Sequence, residues 1–343
     1  MTPLEDTMQL HHSMDIFKTL SGHWRPRLLH LAVKMGIVEA LTGGPLPAGE
    51  LARRAGVKAE PLSRVLRGLV HLGILAEPET DAFHLTELGS CLRAGAPEGL
   101  AGFALLSGEE MSRAWDALPD ALRTGETAFR IAYGQGYFDY YDTHPDRGRL
   151  FGEAMAGLAR HLYSKVTSEY DFSPYRRVVD VGGGYGLLLS LVLGKNPDCT
   201  GVLFDRPAVV ERAGELLGHT GVLARCERIG GDFFESVPPG GDLYVLSNIV
   251  HDWDDEPARR ILRSCRRAME PSSRLLLVEM VLSPGYEPEL AREADLNMLV
   301  LAGGRERTAP ELDALLSSAG FRRTAIQPVQ PMTCLVEAVP AEP

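Results

Sequence analysis

The run Arg177-Val178-Val179-Asp180-Val181 opens without a break into Gly182-Gly183-Gly184-Tyr185-Gly186. Nothing else in the chain restricts its fold so tightly. A short run rich in β-branched residues reads as a strand. Glycines directly after it admit positive φ and let the backbone come against a ligand that a Cβ would hold off. Similar apolar runs recur at Gly201–Phe204, Leu243–Val250, Arg274–Met280 and Thr333–Ala338, with helical stretches between them. Strands alternating with helices predict an α/β fold, a mostly parallel sheet with helices on both faces.

That pattern fills only the second half. At about 150 residues per domain, 343 residues predict roughly two domains. The first half reads helical. Arg27 to Met35 carries apolar residues at helical spacing and stops at Gly36, and two short amphipathic helices follow at 47–57 and 59–75. The next segment offers a strand, a turn and a strand ending at Phe83-His84-Leu85. Helices followed by a β ribbon form the pattern of a winged helix, which also occurs in domains that never touch DNA. From about Ser107 to Tyr170 the chain stays helical and rich in aromatics. The expected domains are therefore a winged-helix-like part over 1–105, a helical connector over 106–170 and a sheet domain over 171–343.

The glycine loop fits D-x-G-x-G-x-G, whereas a dinucleotide fingerprint requires a glycine where Leu187 stands. Asp205 ends the next apolar run about 20 residues on, the usual place for a carboxylate on ribose hydroxyls. Gly231-Asp232-Phe233 supplies an acid and an aromatic ring for an adenine at the end of the third strand. The loop begins with Asp180 and holds no lysine or arginine to neutralise a pyrophosphate. An acid at that place suits a ligand carrying an ammonium and a sulfonium. S-adenosylmethionine meets these requirements.

Taken together, DVGGGYG, GDFF, SNIVHDWDDE and GGRERTAPEL resemble the class I S-adenosylmethionine-dependent small-molecule O-methyltransferases. That family includes plant caffeate and flavonoid enzymes, hydroxyindole O-methyltransferases and bacterial antibiotic-tailoring relatives. The resemblance spans nearly the whole chain, and HDWDDE is its most specific part. It implies a Rossmann-like methyltransferase sheet, an N-terminal mainly α, winged-helix-like dimerisation domain and a homodimer in which each copy helps close the other's pocket. The implied reaction moves a methyl group from S-adenosylmethionine to a hydroxyl of a small aromatic or quinonoid acceptor, leaving S-adenosylhomocysteine, without a metal. His251 follows the Leu243 run, and histidine titrates near neutrality, as a base on an attacking hydroxyl must. By motif position the two glutamates that flank it in the family are Glu279 and Glu306.

The resemblance further assigns cofactor contacts to Asp180, Gly182, Gly184, Asp205, Arg206, Gly231, Asp232, Phe233, Ser247 and Trp253. It places Trp115, Phe138, Met155, Asp252, Asp295, Asn297 and Met298 around the acceptor. Asp252, Asp254 and Asp255 also read as an acidic cluster for a metal, but a cap on the helix that begins near Pro257 explains Asp254 or Asp255 more simply. Relatives with the same fold methylate nitrogen or perform hydroxylation, so those reactions stand as alternatives.

Composition narrows the rest. A net charge of −11 opposes a protein whose main partner is a phosphate backbone. A winged-helix regulator, suggested by Arg53, Arg54, Lys58, Arg64 and Arg67, is therefore the remote reading. The five cysteines are scattered and form no CxxC pair, so neither a disulfide framework nor a zinc site is expected. No apolar run is long enough to span a bilayer, and the polar, acid-bearing start lacks the form of a signal peptide. A cytoplasmic protein with no membrane partner is the expectation.

Overall fold

A computed structural model describes residues 3–96, 99–285, 290–330 and 333–341, the first nine of these as backbone only. By contact the chain divides into two compact units, Met1–Ser112 and Arg113–Pro343.

In the first unit, helices Ala48–Ala55 and Ala59–His71 precede β1 (Leu75–Glu79) and β2 (Ala82–Leu85). The two strands pair antiparallel as a wing, with Leu75 opposite Leu85. Leu51, Leu66, Leu69 and Phe83 are fully buried together and hold the ribbon against the helices. This is the winged-helix arrangement that the sequence predicts.

The second unit is built on β3 (Arg177–Val181), β4 (Thr200–Asp205), β5 (Cys226–Gly230), β6 (Leu243–Ser247), β7 (Arg274–Leu282), β9 (Phe321–Gln330) and β10 (Thr333–Pro340). Their order across the sheet is β5-β4-β3-β6-β7-β10-β9, and a two-residue strand, β8 (Arg307–Thr308), pairs with β7. The first five strands run parallel, while β10 is antiparallel to β7 and β9 to β10. In β6, alternate residues enter opposite cores. Tyr244 and Leu246 face one layer of helices, Leu243 and Val245 the other. Burial on both faces explains the unbroken apolar run.

The chain winds outward from β3 through β4 to β5, then returns to place β6 on the other side of β3. Ligands of open α/β sheets bind beyond the carboxyl ends of the strands at such a switch point. The glycine loop after β3 and the His251 segment after β6 therefore flank the expected crevice.

Three details differ from the sequence pattern or add to it. The run Leu243–Val250 is not strand to its end: β6 stops at Ser247, and Asn248 takes a left-handed φ of 52°. An asparagine tolerates that conformation better than a bulkier residue. The turn sends the chain into a single 3₁₀ turn, Val250–Asp252. The segment from Arg113 to Tyr170 belongs by contact with the sheet, because its helices, ending in the long Pro145–Glu169, pack there. Finally, β9 is an edge strand with half its residues exposed, and its sequence, FRRTAIQPVQ, carries no continuous apolar signal. Among the described residues no helix is long and apolar enough to cross a membrane.

Candidate active site

Three strand ends supply the chemistry. Gly182 and Gly184 both take positive φ, 72° and 58°, which side chains rarely adopt. The space where Gly184 would carry a Cβ is open, making that part of the loop a cradle. Gly184 donates its N–H to Asp205 Oδ2 at 2.8 Å, and Arg206 donates its own to Asp205 Oδ1 at 2.7 Å. Asp205 is thus held by two backbone donors at the tip of β4, with lone pairs left to accept from a ligand. Gly231 reaches the same place, its N–H donating to the Asp205 carbonyl at 3.0 Å. Asp232 is exposed and accepts from the Phe234 N–H at 2.8 Å.

Beneath the loop, Asp180 is buried and its Oδ2 has no hydrogen-bond partner. Burial, then the charge of Asp205, pushes its pKa up to about 7. The Ser247 hydroxyl at the end of β6 is likewise buried without a partner. A glycine cradle, an orphaned acid below it and a braced acid beside it fit a cationic adenosyl ligand.

An aromatic wall stands next to this cradle. Trp253 stacks on Phe138 at 5.7 Å between ring centres and meets Phe233 and Phe234 edge-on at 6.1 Å and 4.7 Å. Arg206 lies over the Phe138 ring at 5.5 Å, donates to the Phe138 carbonyl at 3.2 Å and pairs with Asp142. Phe138, expected around the acceptor, therefore groups with the expected cofactor residues.

His251 sits in the 3₁₀ turn after β6, among acids. Its Nδ1 lies 2.8 Å from Glu306 Oε1 and 3.9 Å from Glu279 Oε2, while Nε2 lies 3.7 Å from Asp252 Oδ1. Pairing of β8 with β7, with Arg307 opposite Val281, delivers Glu306 to the side of the strand that carries Glu279. The two glutamates act differently. Glu306 makes the hydrogen bond to the ring. Glu279 accepts the N–H groups of Ile249 at 3.1 Å and Val250 at 2.8 Å, fixing the backbone that presents the histidine. Burial by itself lowers the His251 pKa, but the Glu279 charge and the Glu306 hydrogen bond overcome it and raise the group to about 10. Burial raises Glu279 to about 7 and Asp252 to about 6, each partly opposed by His251. His251, Glu279 and Asp252 titrate as one coupled cluster.

The His251, Glu279 and Glu306 side chains also offer ligand atoms within 4.8 Å of one another. Glu306 Oε1 is bonded to the ring and Glu279 Oε1 to two backbone N–H groups, while Glu279 Oε2 and Glu306 Oε2 are buried without a hydrogen-bond partner. Asp254 caps helix Asp255–Ala268 by accepting the Asp255 N–H at 2.8 Å, as its sequence position predicts.

Among the residues expected around the acceptor, Trp115 donates its indole N–H to Asn297 Oδ1 at 3.2 Å, which brings those two together. Asp295 accepts the Glu306 N–H at 2.8 Å through Oδ1, which braces the segment carrying Glu306. Met155 lies half-buried in helix Pro145–Glu169, and Met298 accepts from Ala302 and Gly303 through its carbonyl.

No sequence motif singles out Arg307. Its buried guanidinium donates to the carbonyls of Val250 at 3.0 Å and Trp253 at 2.8 Å, and pairs with Asp255 at 2.9 Å. Arg305 adds a backbone bond to the His251 carbonyl at 2.9 Å, and Gly304 lies so close to the 251–253 backbone that any side chain would collide with it. The GGRERT segment therefore clamps the histidine turn from both ends. Replacing Arg307 by Met takes the donor from the Trp253 carbonyl and leaves the Val250 carbonyl only the Trp253 N–H at 3.4 Å. It is expected to cost about 2–4 kcal/mol of stability, measured by denaturant unfolding; a loss under about 0.5 kcal/mol contradicts the clamp.

Residues 115–322 match the model of the O-methyltransferase domain, and residues 17–95 that of the O-methyltransferase dimerisation domain. The chain is 43% identical over 325 residues to phenazine O-methyltransferase PhzM of Lysobacter antibioticus, covering 95% of each. It resembles the solved structure of the mitomycin 7-O-methyltransferase MmcR with a TM-score of 0.91 and 35% identity, covering 98% of this chain and 100% of that one. It also matches an O-methyltransferase, NcsB1, from neocarzinostatin biosynthesis, solved with S-adenosylmethionine and 2-hydroxy-5-methyl naphthoic acid. There the TM-score is 0.80 and the identity 30%, over 92% of this chain and 96% of that one. With both domain models matched and full-length likeness to natural-product tailoring enzymes, the chain belongs to the O-methyltransferase family.

Proposed function

We propose that His251 is the general base of this enzyme, taking the proton of an acceptor hydroxyl through Nε2 while Glu306 holds Nδ1. The chain is an S-adenosylmethionine-dependent O-methyltransferase, and its acceptor is a small aromatic or quinonoid natural product. The hydrogen bond of 2.8 Å between His251 and Glu306 carries the reading. It fixes the ring and keeps the Nδ1 proton on the far side from the acceptor.

Bound S-adenosylmethionine supplies an electrophilic methyl on a sulfonium and, as a cation, opposes the carboxylates that raise the His251 pKa. Asp205 is oriented to accept from ribose hydroxyls, and Asp180 offers its unpartnered oxygen toward positive charge. Trp253 and Phe233 provide an apolar wall for a base, with Asp232 at its edge. Glu279 and Arg307 hold the histidine turn rigid, so the ring meets the acceptor without reorganisation.

The test is a panel of phenolic, quinonoid and N-heteroaromatic acceptors with methyl-labelled cofactor. Label in an O–CH₃ product supports the reading. Label only on nitrogen, or oxygenated product without label, overturns it.

The protein acts as a homodimer through its N-terminal domain. Helix Pro3–Ser21 leaves Met14, Ile16, Phe17 and Leu20 between 46% and 67% exposed, and Trp24 is 56% exposed just beyond it. Such a group of apolar side chains marks an association surface. Phe17→Ser with Trp24→Ser is expected to shift the protein from dimer to monomer in sedimentation equilibrium. A wild-type monomer at the same concentration contradicts the assignment.

A further inference from the structure

Two contacts locate helix Pro145–Glu169 over the crevice. Near its start, Gly152 lies so close to the Tyr185 ring of the glycine loop that a side chain there would displace the ring. About three turns further, the half-buried Tyr163 lies near Ser247 and within reach of the charges of Asp180 and Glu279. The face between these points therefore spans from the glycine loop to the end of β6.

Arg160 occupies that face, one turn before Tyr163. Its Nε is buried and without a hydrogen-bond partner, and among the described residues no carboxylate pairs with its guanidinium. The contrast with Arg307 and Arg206 is plain, since both have carboxylate and carbonyl partners. An arginine keeps its charge in any protein environment, and here Nε is buried while the side chain as a whole is half-buried, so the rest of the fork stays within reach of a ligand. A guanidinium beside the crevice with nothing of its own to bind has the geometry for a ligand's planar anion.

We propose that Arg160 receives a carboxylate carried into the crevice by a ligand. Two ligands can bring one: an aromatic hydroxy acid serving as acceptor, and the methionyl end of the cofactor. The acceptor source makes the substrate class an aromatic hydroxy acid, and that part rests on the methyl-transfer reading above.

The experiment measures equilibrium binding, so it does not depend on turnover. Wild type, Arg160→Gln and Arg160→Lys are titrated calorimetrically with S-adenosylmethionine alone. The same proteins, saturated with S-adenosylhomocysteine, are then titrated with a hydroxynaphthoic acid and its methyl ester. Unchanged thermal unfolding verifies the fold of each variant. A rise in Kd of about 10- to 100-fold for the acid in Arg160→Gln, with the ester unaffected and Arg160→Lys between, assigns the carboxylate to the acceptor. A similar rise for S-adenosylmethionine, without discrimination between acid and ester, assigns it to the cofactor. Changes under twofold in every titration overturn the proposal. Failure of the methyl-transfer reading looks different: wild type then binds cofactor and acid but labels no acceptor.

Discussion

His251→Ala retains its affinity for S-adenosylmethionine and loses about 10²–10⁴-fold in kcat, the range that a positioned general base supplies. The two halves of this expectation come from different strands. The cradle is built by Gly182, Gly184 and Asp205 at the ends of β3 and β4, whereas His251 follows β6. Binding is therefore separable from proton removal. The loss does not reach the full acceleration because orienting two reactants is worth about 7–11 kcal/mol, and that remains in the variant. Rapid-quench measurement of kcat beside a calorimetric Kd reads both numbers. Full turnover by the alanine variant removes His251 from the mechanism.

Glu306→Gln is the second large effect, and it has a pH signature. The amide keeps an acceptor oxygen for Nδ1 but removes a negative charge 2.8 Å from the ring. Since Glu306 contributes to raising His251 toward about 10, its loss lowers the histidine pKa. The base form then exists at lower pH, so the rising limb of kcat/KM against pH moves to the acid side. At the same time kcat falls by about 10- to 100-fold, the usual effect of removing an orienting partner. The equivalent change at Glu279 acts through the backbone, because Glu279 accepts from Ile249 and Val250. Glu279→Gln therefore shifts the limb the same way but also weakens the turn. A Glu306→Gln profile identical in shape to wild type contradicts the role of that carboxylate.

Much of the fold is legible in the sequence because its signals are local. A β-branched run flowing into glycines requires only neighbouring residues, and it locates the cofactor end of β3. Asp205 is legible from its distance along the chain, because one βα unit has a nearly fixed length. His251, Glu279 and Glu306 emerge only through motif resemblance, yet the structure brings all three side chains together. What a sequence does not carry is partnership. Nothing about Arg307 in GGRERT indicates that it grips both ends of the histidine turn, since that depends on β8 lying beside β7. Asp295 is expected at the acceptor, and no sequence signal shows that its carboxylate also takes the Glu306 N–H. The contacts of Phe138 with Trp253 and Arg206 are likewise invisible in the sequence. Arg160 has no sequence signal, because its significance is the lack of a partner in a folded environment.

The mechanism turns on whether His251 removes the acceptor proton. Single-turnover methyl transfer by wild type and His251→Ala across phenols of graded acidity tests this directly. If His251 is the base, the deficit of the variant is largest for weakly acidic phenols. It then shrinks toward nothing for acceptors already ionised at the assay pH, which need no base. A deficit of constant size across the series would mean that His251 serves only to hold the acceptor, and would contradict its role as the base.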